Sequence, residues 1–210
     1  MDNLIRNTTE YALHIVNAYM PESDREFTVI DGTCGNGHDA LALAKMLWPS
    51  GYLEGSSFKL YGFDIQKDAI DNTFDNLCQG GFGQALESGS IKLVHDSHEN
   101  IKMHLPGGGM HSYNVDIAVF NLGYLPGGNK EITTNVSSTL DAIASLLEIL
   151  NKDGLISITM YSGHEAGAKE KAELLAFAQK LDSRIYHVSY ISMINQQKNP
   201  PEILLITKKK

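Results

Sequence analysis

The chain has 210 residues, 42% of them hydrophobic and 20% charged, with a formal net charge of −8. This is the composition of one globular domain; it excludes a disordered chain, and no apolar run approaches the roughly 20 residues that a bilayer requires. Two cysteines outside any C-x-x-C pair, Cys34 and Cys78, exclude a disulfide framework and point to a reducing, intracellular compartment. No secretory signal is expected in residues 1–20, which lack a basic segment followed by an apolar one. The expected location is the cytoplasm, or an organellar matrix after loss of a transit peptide. Eight histidines form no H-E-x-x-H or other close ligand cluster, so no metal is expected. The acidic charge argues against a nucleic-acid partner unless Lys and Arg are concentrated in a strip.

Residues 4–20 read as a helix that belongs to the same domain as the rest, with Pro21 at its end. Short apolar runs then alternate with amphipathic stretches, the signature of β/α units. Strands are expected at 27–30, 59–63, 91–94, 115–120 and 155–160, and two more at 185–193 and 202–207. Helices are expected at 38–47, 67–77, 137–150 and 165–181. Residues 79–90, polar and Gly-rich, read as a loop joined to a helix end, residues 121–135 as a loop rich in Gly, Pro, Asn and Thr, and Asp153-Gly154 as a turn into strand five. Five β/α units followed by a hairpin predict a Rossmann-like α/β domain covering 1–210. Its sheet would have seven mostly parallel strands, the last antiparallel, with helices on both faces. Such sheets bind ligands beyond the carboxyl ends of the strands, where the strand order reverses.

The loop after strand one reads Asp31-Gly-Thr33-Cys-Gly35-Asn36-Gly37-His38-Asp39. Gly35 and Gly37 let the backbone approach a ligand closely, and the next helix begins with unpaired N–H groups. An acid at the strand end is awkward for a phosphate. Asp31 suits an ammonium group, such as the amino-acid end of S-adenosylmethionine, and this favours that cofactor over a dinucleotide. The G-x-G-x-x-G pattern ends in Ala40 rather than Gly. Asp64 ends strand two at the place where such folds set a ribose-binding carboxylate; it also stands where it would cap the helix that begins near Gln66. Asp96, Ser97 and His98 follow strand three. Asp96 or Ser97 is placed to accept from an adenine amine and His98 to stack or donate; a capping arrangement for a short helix is an equal reading.

Strand four ends in Phe120-Asn121-Leu122-Gly123-Tyr124-Leu-Pro126-Gly127-Gly128. The segment is similar to the (D/N)-P-P-(Y/F) motif of amino-methyltransferases, with Leu-Gly in place of Pro-Pro. An amine must aim its lone pair at the methyl group. Asn121 can accept its hydrogens, and Tyr124 can pack on the base or the adjacent methyl. By similarity to that motif, Leu122, Gly123, Pro126 and Gly127 would face the acceptor. His164, after strand five, is a candidate substrate contact or proton acceptor, against a plain surface role. Asn195, in the polar turn between the last two strands, is a candidate for reading a base edge, against a plain hairpin loop.

Together D-G-T-C-G-N-G-H-D, G-F-D-I-Q, H-D-S-H-E, F-N-L-G-Y-L-P-G-G-N-K-E-I-T-T and I-N-Q-Q-K-N-P-P resemble the putative rRNA methylase family of small class I S-adenosylmethionine-dependent methyltransferases. That family includes tRNA 5-aminomethyl-2-thiouridine methyltransferases. The resemblance runs from about Thr28 to the C-terminus. It implies methyl transfer to the aminomethyl group of a wobble uridine, with the tRNA anticodon region as partner and no membrane. It also implies that Asn36, His38, Asp39, Asp64, Gln66, Ser97 and His98 line the cofactor pocket, that residues 121–128 face the acceptor, and that the protein is a homodimer. The chain departs from the family by an insert at 48–58 and a longer Gly loop before strand four. The other readings are a methyltransferase acting on rRNA or another amine, and a non-catalytic scaffold.

Overall fold

The computed structural model describes residues 7–22, 25–106, 114–123, 135–163, 165–197 and 199–209. Seven strands form one sheet in the order β3-β2-β1-β4-β5-β7-β6. They are β1 (Phe27–Asp31), β2 (Phe58–Asp64), β3 (Ile91–His95), β4 (Val115–Leu122), β5 (Leu150–Met160), β6 (Tyr186–Ile191) and β7 (Glu202–Lys208). The first five are parallel, and β7 runs antiparallel between β5 and β6. The helices are α1 (Thr8–Asn17), α2 (His38–Leu47), α3 (Lys67–Gln79), α4 (Gly83–Glu87), α5 (Ile101–His104), α6 (Val136–Ile149) and α7 (Glu165–Ala178). No described helix is long and apolar enough to cross a membrane.

The period-2 alternation of side chains splits each strand between two cores. Ile30, Phe63, Ala118 and Phe120 lie on one face with Ile101, Ile143, Leu146 and Leu174 of α5, α6 and α7. Val29, Leu60, Ile117 and Val119 lie on the other with Val16, Leu43, Leu47 and Leu77 of α1, α2 and α3. The central strands β1 and β4 are therefore near-continuous apolar runs, because neither face meets water. Each fully buried Ile, Leu or Phe on them contributes roughly 1.5–3 kcal/mol. Thr28, Asp31 and Asp116 are buried polar exceptions on these two strands. Asp116 is buried at the amino end of β4, where it accepts from the Thr28 backbone N–H at 2.8 Å, Arg25 at 3.2 Å and Asn151 at 3.0 Å.

The expected elements stand with adjusted ends. In α1 the described helix is Thr8–Asn17, with Asn7 as its cap accepting from the Glu10 N–H. Thr8, Ala12 and Val16 form its buried stripe; residues 1–6 lie outside the described residues, and residues 18–20 leave the helix before Pro21. Within the expected loop 79–90 sits α4, one turn that buries Ala85; a helix this short shows no periodicity. Strand β5 starts at Leu150, directly after α6, and not after the expected turn. Asp153 takes a left-handed φ of 63° inside it, and the β4–β5 register shifts between Val115 and Ile117. The turn is thus absorbed as an irregularity of the strand. The insert at 48–58 adds to the core. Trp48 packs against Tyr52, Phe58 and Phe82 with ring centroids 5.6–6.1 Å apart.

Candidate functional site

Strand order reverses between β1 and β4, and the tips of β1, β2 and β4 meet there. Gly32 N–H donates to the Val119 carbonyl at 2.8 Å, and Cys34 N–H to that of Phe63 at 2.9 Å. The Gly loop is thereby stitched to both neighbouring strands. Gly37 caps α2 with a φ of 78°, a left-handed conformation that costs an L-residue about 1–2 kcal/mol. A Cβ there would also stand 2.6 Å from the Thr73 Cα. Helix α3 closes the loop from outside: Thr73 donates to the Gly35 carbonyl at 3.3 Å, and Asn72 to the Asn36 side chain at 3.1 Å.

Three carboxylates converge on this loop. Asp31 is wholly buried. Its Oδ1 accepts from the Thr33 N–H at 3.1 Å, and its Oδ2 has no partner. Burial pushes its pKa up to about 8, and the like charges of Asp39 and Asp64 push the same way. Burial also raises Asp39, opposed by its bond from Asn121 and by nearby His38. Asp64 accepts from the Gly35 N–H at 3.0 Å and the Gln66 N–H at 2.9 Å, so it both holds the Gly loop and supports the start of α3. Each carboxylate oxygen retains a lone pair for a ligand hydroxyl. A buried acid without a partner beside two others is a site for a cation, since a positive ligand removes both the desolvation and the repulsion. The residues therefore fit the ammonium, sulfonium and ribose of S-adenosylmethionine.

At the tip of β4 the Asn121 N–H donates to Thr33 Oγ1 at 2.7 Å, and its side-chain nitrogen donates to Asp39 Oδ2. The carboxylate takes one amide hydrogen, and the Asn121 Oδ1 is buried without a partner. Leu122 is buried beneath this tip, and Gly123 is half-buried at its end. After β3, Asp96 is engaged by the Ser97 N–H at 2.7 Å, Asn100 at 3.0 Å and His104 at 2.7 Å. The His104 bond leads in holding its carboxyl below the usual range. Asp96 thus ties Ser97, Asn100 and His104 together around the 3-10 turn His98–Asn100, which has no side-chain cap hydrogen bond. His98 is buried edge-on to Phe120, with ring centroids 5.7 Å apart. Burial lowers its pKa despite its bond to the Gly32 backbone, and its Nε2 is unpartnered, so a neutral ring presents a bare nitrogen.

Asp31, Gly35, Asn36, Gly37, His38, Asp39, Asp64, Gln66, His98 and Asn121 are brought to one edge of the sheet. Tyr124, Pro126, Gly127 and His164 lie outside the described residues. Asn195 is exposed beyond β6, three strands from β4 and so about 14 Å across the sheet. Three residues went unrecognised in the sequence. Thr33 fixes the Asn121 backbone. Ile65, 50% exposed directly after Asp64, is an apolar surface beside the tip of β2, and its carbonyl bonds to His95 at 3.0 Å. Tyr161 lies beside Gly123. Only Thr33, inside the Gly loop, carried a signal that could have found it.

The chain is similar to known proteins in sequence and in fold. Residues 60–207 match the family described as "Putative rRNA methylase". A chloroplastic tRNA (mnm5s2U34)-methyltransferase of Arabidopsis thaliana is 38% identical over 173 residues, which are 82% of this chain and 60% of the relative. The chain thus spans about 60% of that relative's length. The crystal structure of a "putative rRNA-methylase" from Clostridium thermocellum superposes with a TM-score of 0.82 at 30% identity, covering 97% of this chain and 98% of the other. A "putative methyltransferase" of Streptococcus mutans in complex with SAH gives 0.77 at 28% identity, covering 97% and 99%. The chain belongs to the putative rRNA methylase family, and its fold is that of the class I S-adenosylmethionine-dependent methyltransferases.

Proposed function

We propose that this chain is an S-adenosylmethionine-dependent N-methyltransferase whose acceptor is the 5-aminomethyl group of the wobble uridine in tRNA. The observation that carries the reading is the Asn121 side chain. Its amide nitrogen donates one hydrogen bond to Asp39, which orients the amide, and its oxygen is buried without a partner. Such an acceptor costs about 1–3 kcal/mol until a donor reaches it, and an amine is that donor.

The cofactor, when bound, supplies a methyl group already activated by the sulfonium. Around it, Asp31 holds the ammonium end, Asp64 the ribose hydroxyls, and Ile65 with His98 the base. Asn121 takes hydrogen bonds from the neutral amine and turns its lone pair toward the methyl carbon. Positioning is thus the protein's main task, and well-oriented reactants account for about 7–11 kcal/mol of a barrier. The proton released on transfer needs an acceptor, and Asp39, raised by burial, is the acid beside Asn121. Tyr124 and Pro126, Gly127 and His164 are assigned to the acceptor side as part of the same reading, and Asn195 to the RNA farther out.

The tRNA acceptor is supported by the Arabidopsis relative, named for that modification. The reading takes 1–210 as one domain, two copies as the working unit, and the cytoplasm or an organellar matrix as its place. The net charge of −8 favours a second acceptor class, a protein or small-molecule amine. Mass analysis of tRNA nucleosides from cells lacking the gene separates the two. Aminomethyluridine should accumulate and its methylated form disappear; an unchanged wobble nucleoside leaves the second class standing.

A further inference from the structure

Tyr161 is the first residue after β5. The register pairs Asn121 with Thr159 and Leu122 with Met160, so the next step along both strands sets Gly123 beside Tyr161. A Cβ on Gly123 would lie 4.0 Å from the Tyr161 Cβ and Cδ2. The ring thus runs along a position that carries no side chain. Its hydroxyl is 3.0 Å from the Thr9 Oγ1 on α1, 152 residues away in the chain. Tyr161 is nonetheless 37% exposed, whereas Phe120 on the neighbouring strand β4 and Phe63 on β2 are wholly buried. A core-filling ring would be covered, and a merely solvated one would not be tied down. Tyr161 is a fixed aromatic surface on the rim, two residues along and one strand over from Asn121, roughly 8 Å away. That is about the reach of a pyrimidine with a one-carbon arm.

We infer that Tyr161 is the platform on which the acceptor nucleobase stacks, so that its aminomethyl arm reaches Asn121. The inference rests on the methyl-transfer reading above and adds to it the residue that fixes the plane of the base. Proteins that read unpaired RNA bases splay them out and stack them on aromatic rings, and a one-ångström error in placing the amine is expensive in rate. The Thr9 bond holds the ring still without taking its face.

The test is steady-state methylation of tRNA carrying aminomethyluridine by wild-type protein and the variants Tyr161→Leu, Tyr161→Phe and Thr9→Val, with calorimetric titration of S-adenosylhomocysteine for each. Y161L should raise the KM for tRNA about tenfold or more and leave S-adenosylhomocysteine affinity within twofold. Y161F and T9V should keep a KM near wild type while melting at a lower temperature. Tyr161→Trp should bind tRNA at least as well as wild type, with the fluorescence of the added indole quenched. An unchanged KM in Y161L, no quenching of the added indole in Y161W, or activity losses in all variants that follow their melting temperatures would each overturn the platform and leave a ring that only pins α1. Wild-type protein inactive on this tRNA would instead overturn the function reading, and the platform with it.

Discussion

Asn121 at the tip of β4 donates its side-chain amide to Asp39 in the first turn of α2, and each residue fixes the chemistry of the other. The carboxylate sets the orientation of the amide. The amide bond in turn opposes the burial that raises the Asp39 carboxyl. Asn121→Ala should therefore lower kcat about 100-fold or more, as loss of a positioning group does, with S-adenosylhomocysteine affinity changed much less. Asp39→Ala frees the amide to rotate and should reproduce the kcat loss. Single-turnover methylation beside calorimetric titration reads both; a variant losing affinity and turnover equally would contradict the assigned role.

Cofactor affinity should depend on pH through Asp31. Its folded pKa is raised to about 8, so the free protein holds that proton through neutrality. A cationic ligand favours the ionised form, and binding below pH 8 releases the proton. Affinity should rise as pH increases from 6 toward 8 and level off above. Folding has the opposite slope. Between the ordinary carboxylate value and about 8 the native state binds the extra proton, so ligand-free stability falls as pH rises through that window. Asp31→Asn should flatten both profiles and weaken binding. Titrations in buffers of different ionisation enthalpy measure the released proton.

Gly37→Ala should cost more than about 2 kcal/mol of stability, because a left-handed φ is combined with a Cβ 2.6 Å from the Thr73 Cα. S-adenosylhomocysteine binding should weaken alongside, since the same loop holds the cofactor. Urea unfolding with and without the ligand checks both; an alanine variant as stable as wild type would show that the loop can relax.

How much of this was legible in the sequence follows from how local each signal is. The Gly loop, Asp64 and Asn121 announce themselves because a strand end, a turn and a polar residue are adjacent in the chain. The doubly wound architecture is legible because buried parallel strands are short apolar runs. Tyr161 was not legible, since its meaning lies in Thr9 and Gly123, which reach it only through the sheet. The engagement of Asp96 by His104 needs a 3-10 turn and α5 to bring position 104 back. The packing of Trp48, at the start of the 48–58 insert, against Phe82 just before α4 joins segments that no periodicity links.

That aromatic cluster gives a control remote from the site. Trp48→Ala should destabilise the protein by about 3–5 kcal/mol, leaving cofactor affinity of the folded fraction unchanged. Trp48 is the chain's one tryptophan, so unfolding of the variant must be followed by circular dichroism. A smaller loss would mean that Tyr52, Phe58 and Phe82 close over the space.

The central claim is that the acids at the β1 and β2 tips hold a cationic methyl donor while Asn121 aims a primary amine at it. Incubating purified protein with isotopically labelled S-adenosylmethionine and tRNA rich in 5-aminomethyluridine, then resolving the nucleosides by mass, tests this directly. One labelled methyl should appear on the aminomethyl nitrogen, with wild-type protein and not with N121A. Label on a ring carbon or ribose, or equal label with N121A, would contradict the account.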